Sequence, residues 1–209
     1  MSKSPHPRDR PWVALDVGGV LFSDGANVFI NSLPAPAQTR ARALIRSPSA
    51  MALRRGQIDE ATFWKAADGH LPTGWTARAF REAWYTAYEP NEEIFDWIER
   101  LHRRISLAIF SGNVFSRVDF LEARRPFRRY FDKEVWSFEH GATKPEPAFA
   151  RALLTVLDTS PERVFYVDDK LAPLQVAEGL GVNGFLYREG DVATLKGRFA
   201  EFYSHLLEP

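Results

Sequence analysis

Trp12-Val13-Ala14-Leu15-Asp16-Val17-Gly18-Gly19-Val20-Leu21 is the stretch on which the reading of the whole chain turns. Four apolar residues in a row end on a carboxylate, and a pair of glycines follows almost at once. A short continuous apolar run is how a strand buried on both faces looks, and the glycines mark a tight loop at its end. Four later runs share this character: Ser106 to Phe110, Glu134 to Phe138, Val164 to Val167, and Gly184 to Tyr187. Helical patterns lie between them. Asn91 is placed to cap a helix in which Ile94, Trp97, Ile98 and Leu101 recur at three-and-four spacing. Another helix is expected after Pro145, with Phe149, Leu153 and Val156 or Leu157 along one side, because proline is tolerated in a first helical turn. Strands alternating with helices predict a Rossmann-like α/β fold, a parallel sheet with helices on both faces.

The segment from Ser23 to Glu89 breaks the rhythm. It has helical stretches around Gln38–Ile45, Asp59–Ala67 and Thr76–Tyr88 but no convincing strand. The expectation is a helical cap subdomain over 23–89, inserted after the first strand of an α/β core made of 12–22 and 90–209. Residues 1–11, rich in proline and charge, read as a flexible tail.

Composition narrows the function classes. Of 209 residues, 45% are hydrophobic and 26% charged, the mixture of a globular chain long enough to bury a core without disulfides. Lysine plus arginine and aspartate plus glutamate each number 27, so the formal charge is zero and no polyanion surface is indicated. The densest basic patch, Arg124, Arg125, Arg128 and Arg129, reads as a solvated helix face. With no cysteine, thiol catalysis and thiolate zinc sites are excluded. No run approaches the ~18 apolar residues of a membrane span, and the first residues lack the apolar stretch of a signal peptide. A cytoplasmic location is expected, with neither nucleic acid nor membrane as partner; the oligomeric state is left open.

In open α/β sheets ligands sit beyond the carboxyl ends of the strands. The residues just after the apolar runs are Asp16 with Gly18-Gly19, then Ser111-Gly112-Asn113, then Lys144-Pro145 in a loop opening a helix, then Asp168-Asp169-Lys170. Each alone has a structural reading as a cap, a loop hydrogen bond or a surface charge. Together, in this order, a carboxylate, a hydroxyl beside glycine, a lysine and an acidic pair converge on one edge of the sheet.

These four motifs resemble, in order, those of the haloacid dehalogenase-like superfamily, and the resemblance covers roughly residues 12–190. Within the expected cap, Arg55-Gly56-Gln57-Ile58-Asp59-Glu60-Ala61-Thr62-Phe63 resembles a stretch of the branch holding bacterial sugar-phosphate phosphatases, akin to the phosphatase domain of soluble epoxide hydrolase. The resemblance implies a hydrolase in which Asp16 attacks phosphorus and forms an aspartyl-phosphate. A carboxylate and a phosphate at ~4 Å repel by roughly 4 kcal/mol per pair of unit charges at an effective dielectric of about 20, so the family's Mg2+ is implied as well. Its ligands by analogy are the Asp16 carboxylate, the Gly18 carbonyl, Asp169 directly and Asp168 through water. Ser111 and the Gly112 N–H, with Asn113 beside them, would hold the phosphoryl oxygens, and Lys144 would neutralise charge. The substrate implied is a small phosphorylated metabolite.

The pattern departs from the family at position 18. Most of its phosphatases place a second Asp two residues after the nucleophile, as acid to the leaving group, and here that residue is Gly18. Losing a positioned acid typically costs about 10² to 10⁴ in rate. Three outcomes are open: good leaving groups only, a proton from Asp24 or His140, or phosphate binding with negligible turnover. The namesake dehalogenases also lack this acid, but they work without metal, which leaves Asp168-Asp169 without a purpose, and their patterns at Gly18, Val20 and Gly112 differ. In the cap, Arg54, Arg55 and Trp64 are candidates to face the pocket, against readings as exposed arginines and a packed tryptophan.

Overall fold

The computed structural model describes residues 11–206, so the expected tail lies, but for Pro11, outside the described residues. Five strands form one parallel sheet: β1 (Trp12–Leu15), β2 (Ser106–Ser111), β3 (Lys133–Trp136), β4 (Val164–Asp168) and β5 (Asn183–Leu186). Their order is β3-β2-β1-β4-β5. The first strand is therefore central, with Leu15 in register with Ile109 on one side and Val167 on the other. The chain winds from β1 to β2 and β3 on one side, then crosses to β4 and β5 on the other, so the winding reverses beside β1 and a crevice opens at its carboxyl end.

Although β1 is apolar throughout, its side chains divide by the two-residue period of a strand. Val13 and Leu15 join Leu107, Ile109, Phe165 and Val167 on one face. Trp12 and Ala14 join Ala108, Phe110, Val164 and Tyr166 on the other. Burial on both faces explains the unbroken apolar run.

The helices are α1 (Gly25–Ser32), α2 (Ala35–Ile45), α3 (Pro48–Arg54), α4 (Glu60–Ala67), α5 (Ala77–Thr86), α6 (Glu92–Leu101), α7 (Phe115–Arg124), α8 (Ser137–His140), α9 (Pro147–Leu157), α10 (Leu171–Glu178) and α11 (Val192–His205). Asn91 Oδ1 accepts from the Ile94 N–H at 3.4 Å and starts α6, which buries Ile94, Trp97 and Ile98. Pro147 occupies the first turn of α9, where its missing N–H costs nothing, and Phe149, Leu153 and Leu157 face the sheet. Asp59 caps α4 and Thr76 caps α5, so the helices expected from those residues start one position later. The short helices α1 and α3 carry too little periodic pattern to be expected from sequence.

Two expectations need correction. The third strand ends at Trp136 rather than Phe138. Ser137 is buried, its hydroxyl accepting the Asn113 N–H and donating to the Asn113 carbonyl, both at 3.1 Å. That exchange with the neighbouring loop draws the chain out of the sheet and into α8. The four arginines are not one solvated helix face, because α7 ends at Arg124. Arg124 pairs with Glu89, Arg125 with Glu92 and Arg128 with Glu134, at 3.4, 2.9 and 2.7 Å.

Residues 23–89 hold α1 to α5 and no strand. Their interior is aromatic: Phe29 and Phe80 meet edge to face at 4.9 Å, with Trp75 against both and Trp64 against Phe80. This cluster is continuous with the Val13 and Leu15 face of the sheet. The two ends of the segment are stitched together. The Ser23 N–H donates to the Glu89 carbonyl at 2.8 Å, and the Glu89 N–H donates to the Ser23 hydroxyl at 3.0 Å.

Leu153 is fully buried between α9 and the sheet. Leu153→Ala is expected to cost about 2–5 kcal/mol, the range for leucine truncation in a packed core. Urea denaturation followed by tryptophan fluorescence measures it, and a loss under 1 kcal/mol would show that this face is not close-packed.

Candidate active site

Asp16 follows β1, and its N–H still bonds to the Val167 carbonyl at 3.1 Å, so the sheet fixes the root of its side chain. Ser111 ends β2 and Asp168 ends β4, in strands flanking β1. The topology thus brings three motifs to one edge. Lys144 arrives from the loop between α8 and α9, next to a cis bond to Pro145. Its Nζ lies 3.1 Å from Asp16 Oδ1 and 2.7 Å from Asp168 Oδ2, with the ammonium largely buried. The same ammonium sits over the Phe110 and Tyr166 rings, at 5.0 and 5.2 Å from their centroids.

The carboxylates differ in surroundings. Burial pushes the Asp16 carboxyl up, against the pull of Lys144 and a weaker hydrogen-bond contribution from Ser111. Asp168 is completely buried, which alone would push it up as well. The Lys144 ammonium, the Tyr166 hydroxyl and the Lys170 N–H, at 2.8 Å, outweigh burial and hold it below the ordinary carboxylate value. Asp169 is raised to about 6, first by burial and then by the neighbouring Asp16 charge, while Lys170 opposes. One carboxylate oxygen from each of Asp16, Asp168 and Asp169 lies within 4.8 Å of the others, a donor group that could hold a metal ion.

Two glycines owe their identity to this crowding. Gly19 has φ +85°, and a Cβ there would stand 2.3 Å from Asp169 Cγ. Gly112 lies so close to the buried Thr143 that a Cβ would meet its hydroxyl at 2.8 Å. At Gly18 a Cβ would come 3.3 Å from Tyr88 Cε1. The space of the absent acid is therefore bounded by a tyrosine ring.

A cavity of about 320 Å3 opens over these groups, lined among others by Asp16, Gly18, Ser111, Gly112, Asn113, Lys144 and Asp168. Asn113 is buried, and its Oδ1 accepts from the Val114 N–H at 2.9 Å and from Arg117 Nε at 2.6 Å. Its side-chain carbonyl serves α7 and an arginine. Asp24 also lines the cavity, but its carboxylate caps α1 through Asn27 and faces Lys170 Nζ at 3.5 Å. His140 is exposed, is absent from the lining, and has its ring near Phe149.

The three residues singled out in the helical segment divide. Arg55 bonds to Glu146 at 2.7 Å, tying the segment to the core. Trp64 donates Nε1 to Glu60 at 2.9 Å and packs against Phe63. Arg54 alone of the three lines the cavity. Sequence reasoning passed over Arg117, Tyr88 and Thr143, which line it too and carry no motif. Lys170, named there as the neighbour of the acidic pair but given no role, lines it as well.

With the geometry in view, comparison with known proteins gives the class. The family of haloacid dehalogenase-like hydrolases matches residues 12–181. The chain belongs to this family and is a hydrolase of its fold. It is 27% identical over 215 residues to an uncharacterised protein of Dictyostelium discoideum, a match covering 88% of this chain and 93% of that one. Among solved structures it is similar to the HAD family enzyme BT-2542 of Bacteroides thetaiotaomicron, in complex with magnesium and inorganic phosphate. The TM-score is 0.70 at 18% identity, covering 87% of this chain and 96% of that chain. An HAD-like family hydrolase from Porphyromonas gingivalis gives 0.71 at 22% identity, with 87% and 92% covered. The L-2-haloacid dehalogenase of Xanthobacter autotrophicus gives 0.61 at 17% identity, with 84% and 76% covered. These likenesses define the fold. No described helix is long and apolar enough to cross a membrane.

Lys144→Met would leave two buried carboxylates facing each other. It is expected to destabilise the protein by about 3–5 kcal/mol at pH 7, measured by urea denaturation in EDTA. Native Asp168, held low, contributes stability above its unfolded pKa and loses it as pH falls. In the variant, burial raises that carboxyl, so the penalty is largest at high pH. The gap should narrow as pH drops through about 4; a pH-independent gap would show that Lys144 acts by packing alone.

Proposed function

We propose that the chain is a magnesium-dependent phosphatase acting on a small phosphorylated metabolite, with Asp16 as nucleophile. The carrying observation is the gathering of Asp16, Asp168 and Asp169, the first two paired with Lys144 and lining an open cavity. Three aspartate oxygens so close form a hard anionic donor set of the kind magnesium takes. The Asp169 carboxyl is raised first by burial and then by the Asp16 charge beside it. That donor set fits the ion: Asp16, the Gly18 carbonyl and Asp169 would hold it directly, with Asp168 through water. A magnesium ion there would offset the charges of nucleophile and phosphoryl group.

The chain's own residues then account for the rest. An Asp16 carboxylate oxygen attacks phosphorus, the ester P–O bond breaks, and the alcohol oxygen leaves with the bonding pair. Water afterwards cleaves the aspartyl-phosphate and regenerates Asp16. Lys144 keeps the nucleophile oriented and charged, and adds positive charge near the transferring group. Ser111 and the Gly112 N–H would hold phosphoryl oxygens, with Asn113 serving by fixing the loop. Residues 23–89 act as a cap that limits access of water and selects the substrate.

Without an acid at position 18, the departing oxygen depends on its own stability as an anion. Phosphate release from acyl, aryl and alkyl phosphates, with magnesium or with EDTA, tests the reading. Turnover should need the metal, vanish in Asp16→Asn, and fall steeply from acyl and aryl to alkyl esters. Absence of metal-dependent, Asp16-dependent release from every ester would overturn it in favour of a phosphate-binding role.

Installing the acid gives a second test. Gly18→Asp alone meets the Tyr88 ring and should cost about 1–3 kcal/mol of stability, as overpacking does, read as a lowered midpoint in thermal denaturation. With Tyr88→Ala added to make room for the acid, alkyl phosphates should gain more than aryl ones. An unchanged midpoint in Gly18→Asp would show that Tyr88 does not bound this space.

A further inference from the structure

Every ammonium in the cavity is matched by carboxylates. Lys144 serves Asp16 and Asp168, and Lys170 serves Asp169 and Asp24. Three guanidiniums also line the cavity, those of the exposed Arg46 and of Arg54 and Arg117, and among the described residues they are not matched. Arg54, at the end of α3, and Arg117, in the first turns of α7, both line the cavity, and among the described residues neither forms an ion pair with a carboxylate. The contrast with the adjoining Arg55, which takes Glu146, is direct.

Arg117 is held as a binding group is held. Only 4% of it is exposed, its Nε is fixed by Asn113 Oδ1 at 2.6 Å, and its guanidinium lies over Tyr88 and Trp84, at 5.0 and 5.3 Å from the centroids. Among the described residues, no side chain or backbone carbonyl accepts from its terminal nitrogens. Arg54 is partly buried, and its pKa is lowered by burial first and then by repulsion from Arg117. Two like charges drawn into one pocket repel; Asp16 and Asp24 offset this only in part at Arg54, and a bound anion would complete the balance.

The placement also says which part of a substrate they meet. Gly18 stands where a leaving-group acid would stand, Tyr88 covers Gly18, and Arg117 stacks on Tyr88. The guanidiniums thus lie on the leaving-group side of the cavity, and Arg54 reaches it from the helical segment.

We propose that Arg54 and Arg117 form a subsite for a second anionic group, a carboxylate or a second phosphate, carried on the leaving portion of the substrate. This deepens the phosphatase reading and rests on it for the chemistry, though not for the binding. The substrate class is then a phosphorylated hydroxy acid or a bisphosphate rather than a neutral phosphorylated alcohol. Guanidinium suits either anion, since its fixed fork of donors matches carboxylate and phosphate alike.

Matched pairs test it. The phosphate ester of 3-hydroxypropionate is compared with that of 3-hydroxypropanamide, and 1,3-propanediol bisphosphate with propyl phosphate, by kcat/KM in magnesium. In parallel, calorimetry compares phosphonoacetate with phosphonoacetamide as unreactive ligands. A preference of about tenfold or more for the anionic member of at least one pair is expected. The pair that shows it tells carboxylate from phosphate. Arg54→Gln should bring the ratio to within about twofold of one, while Arg54→Lys, which keeps the charge, retains much of it; circular dichroism checks that both fold.

A wild-type ratio near one in both pairs and in calorimetry overturns the subsite. So does Arg54→Gln weakening both members of a pair equally, which would assign the arginines to the transferring phosphoryl group. If no ester is turned over but calorimetry still shows an Arg54-dependent preference, the phosphatase reading fails and the subsite stands. Turnover without preference gives the reverse.

Discussion

One ammonium holds the site in its shape. Lys144 lies within hydrogen-bonding reach of Asp16 and Asp168, in a place where either carboxylate alone would be costly to bury and the two together more so. Tyr166 and the Lys170 N–H add to the hold on Asp168, which is completely buried, while Asp16 keeps a small exposure at the cavity. The strand ends bring acids together, and the lysine from a different loop makes their company tolerable. Much around it follows: glycine at 19 because Asp169 stands there, glycine at 112 because Thr143 closes the loop behind.

The sheet was legible because a strand buried on both faces writes itself as an unbroken apolar run, and each of the five runs is a strand. Where the edges moved, side-chain hydrogen bonds were responsible. Ser137 ends β3 early through Asn113, a partner that is distant in sequence and local only in space. The residues at this edge of the sheet were legible for a related reason: Asp16, Ser111 and Asp168-Asp169 sit at fixed offsets from apolar runs, so locating the run locates the residue.

Arg117 and Tyr88 were not legible, since nothing near either in the chain marks it. Arg117 reads as a charged residue in the first turns of an amphipathic helix, and only folding shows that Asn113 and two aromatic rings turn it inward. Arg54 and Arg55 are adjacent and identical in type, yet one lines the cavity and the other bridges to Glu146. Periodicity cannot separate neighbours at the end of a seven-residue helix. The groups that would choose among substrates are thus the ones that sequence pattern describes least well.

The paired hydrogen bonds between Ser23 and Glu89 bear on how such a chain can change over time. Because the segment leaves and re-enters the core at one point, the strands need not move when the length of chain between changes. Loop-closure entropy rises only slowly with length, by about 0.6 kcal/mol per doubling. Helices there can lengthen or multiply so long as the apolar face they share with Val13 and Leu15 stays covered. The splice lets the helical side of the cavity change by insertion, while its floor stays tied to the strand ends.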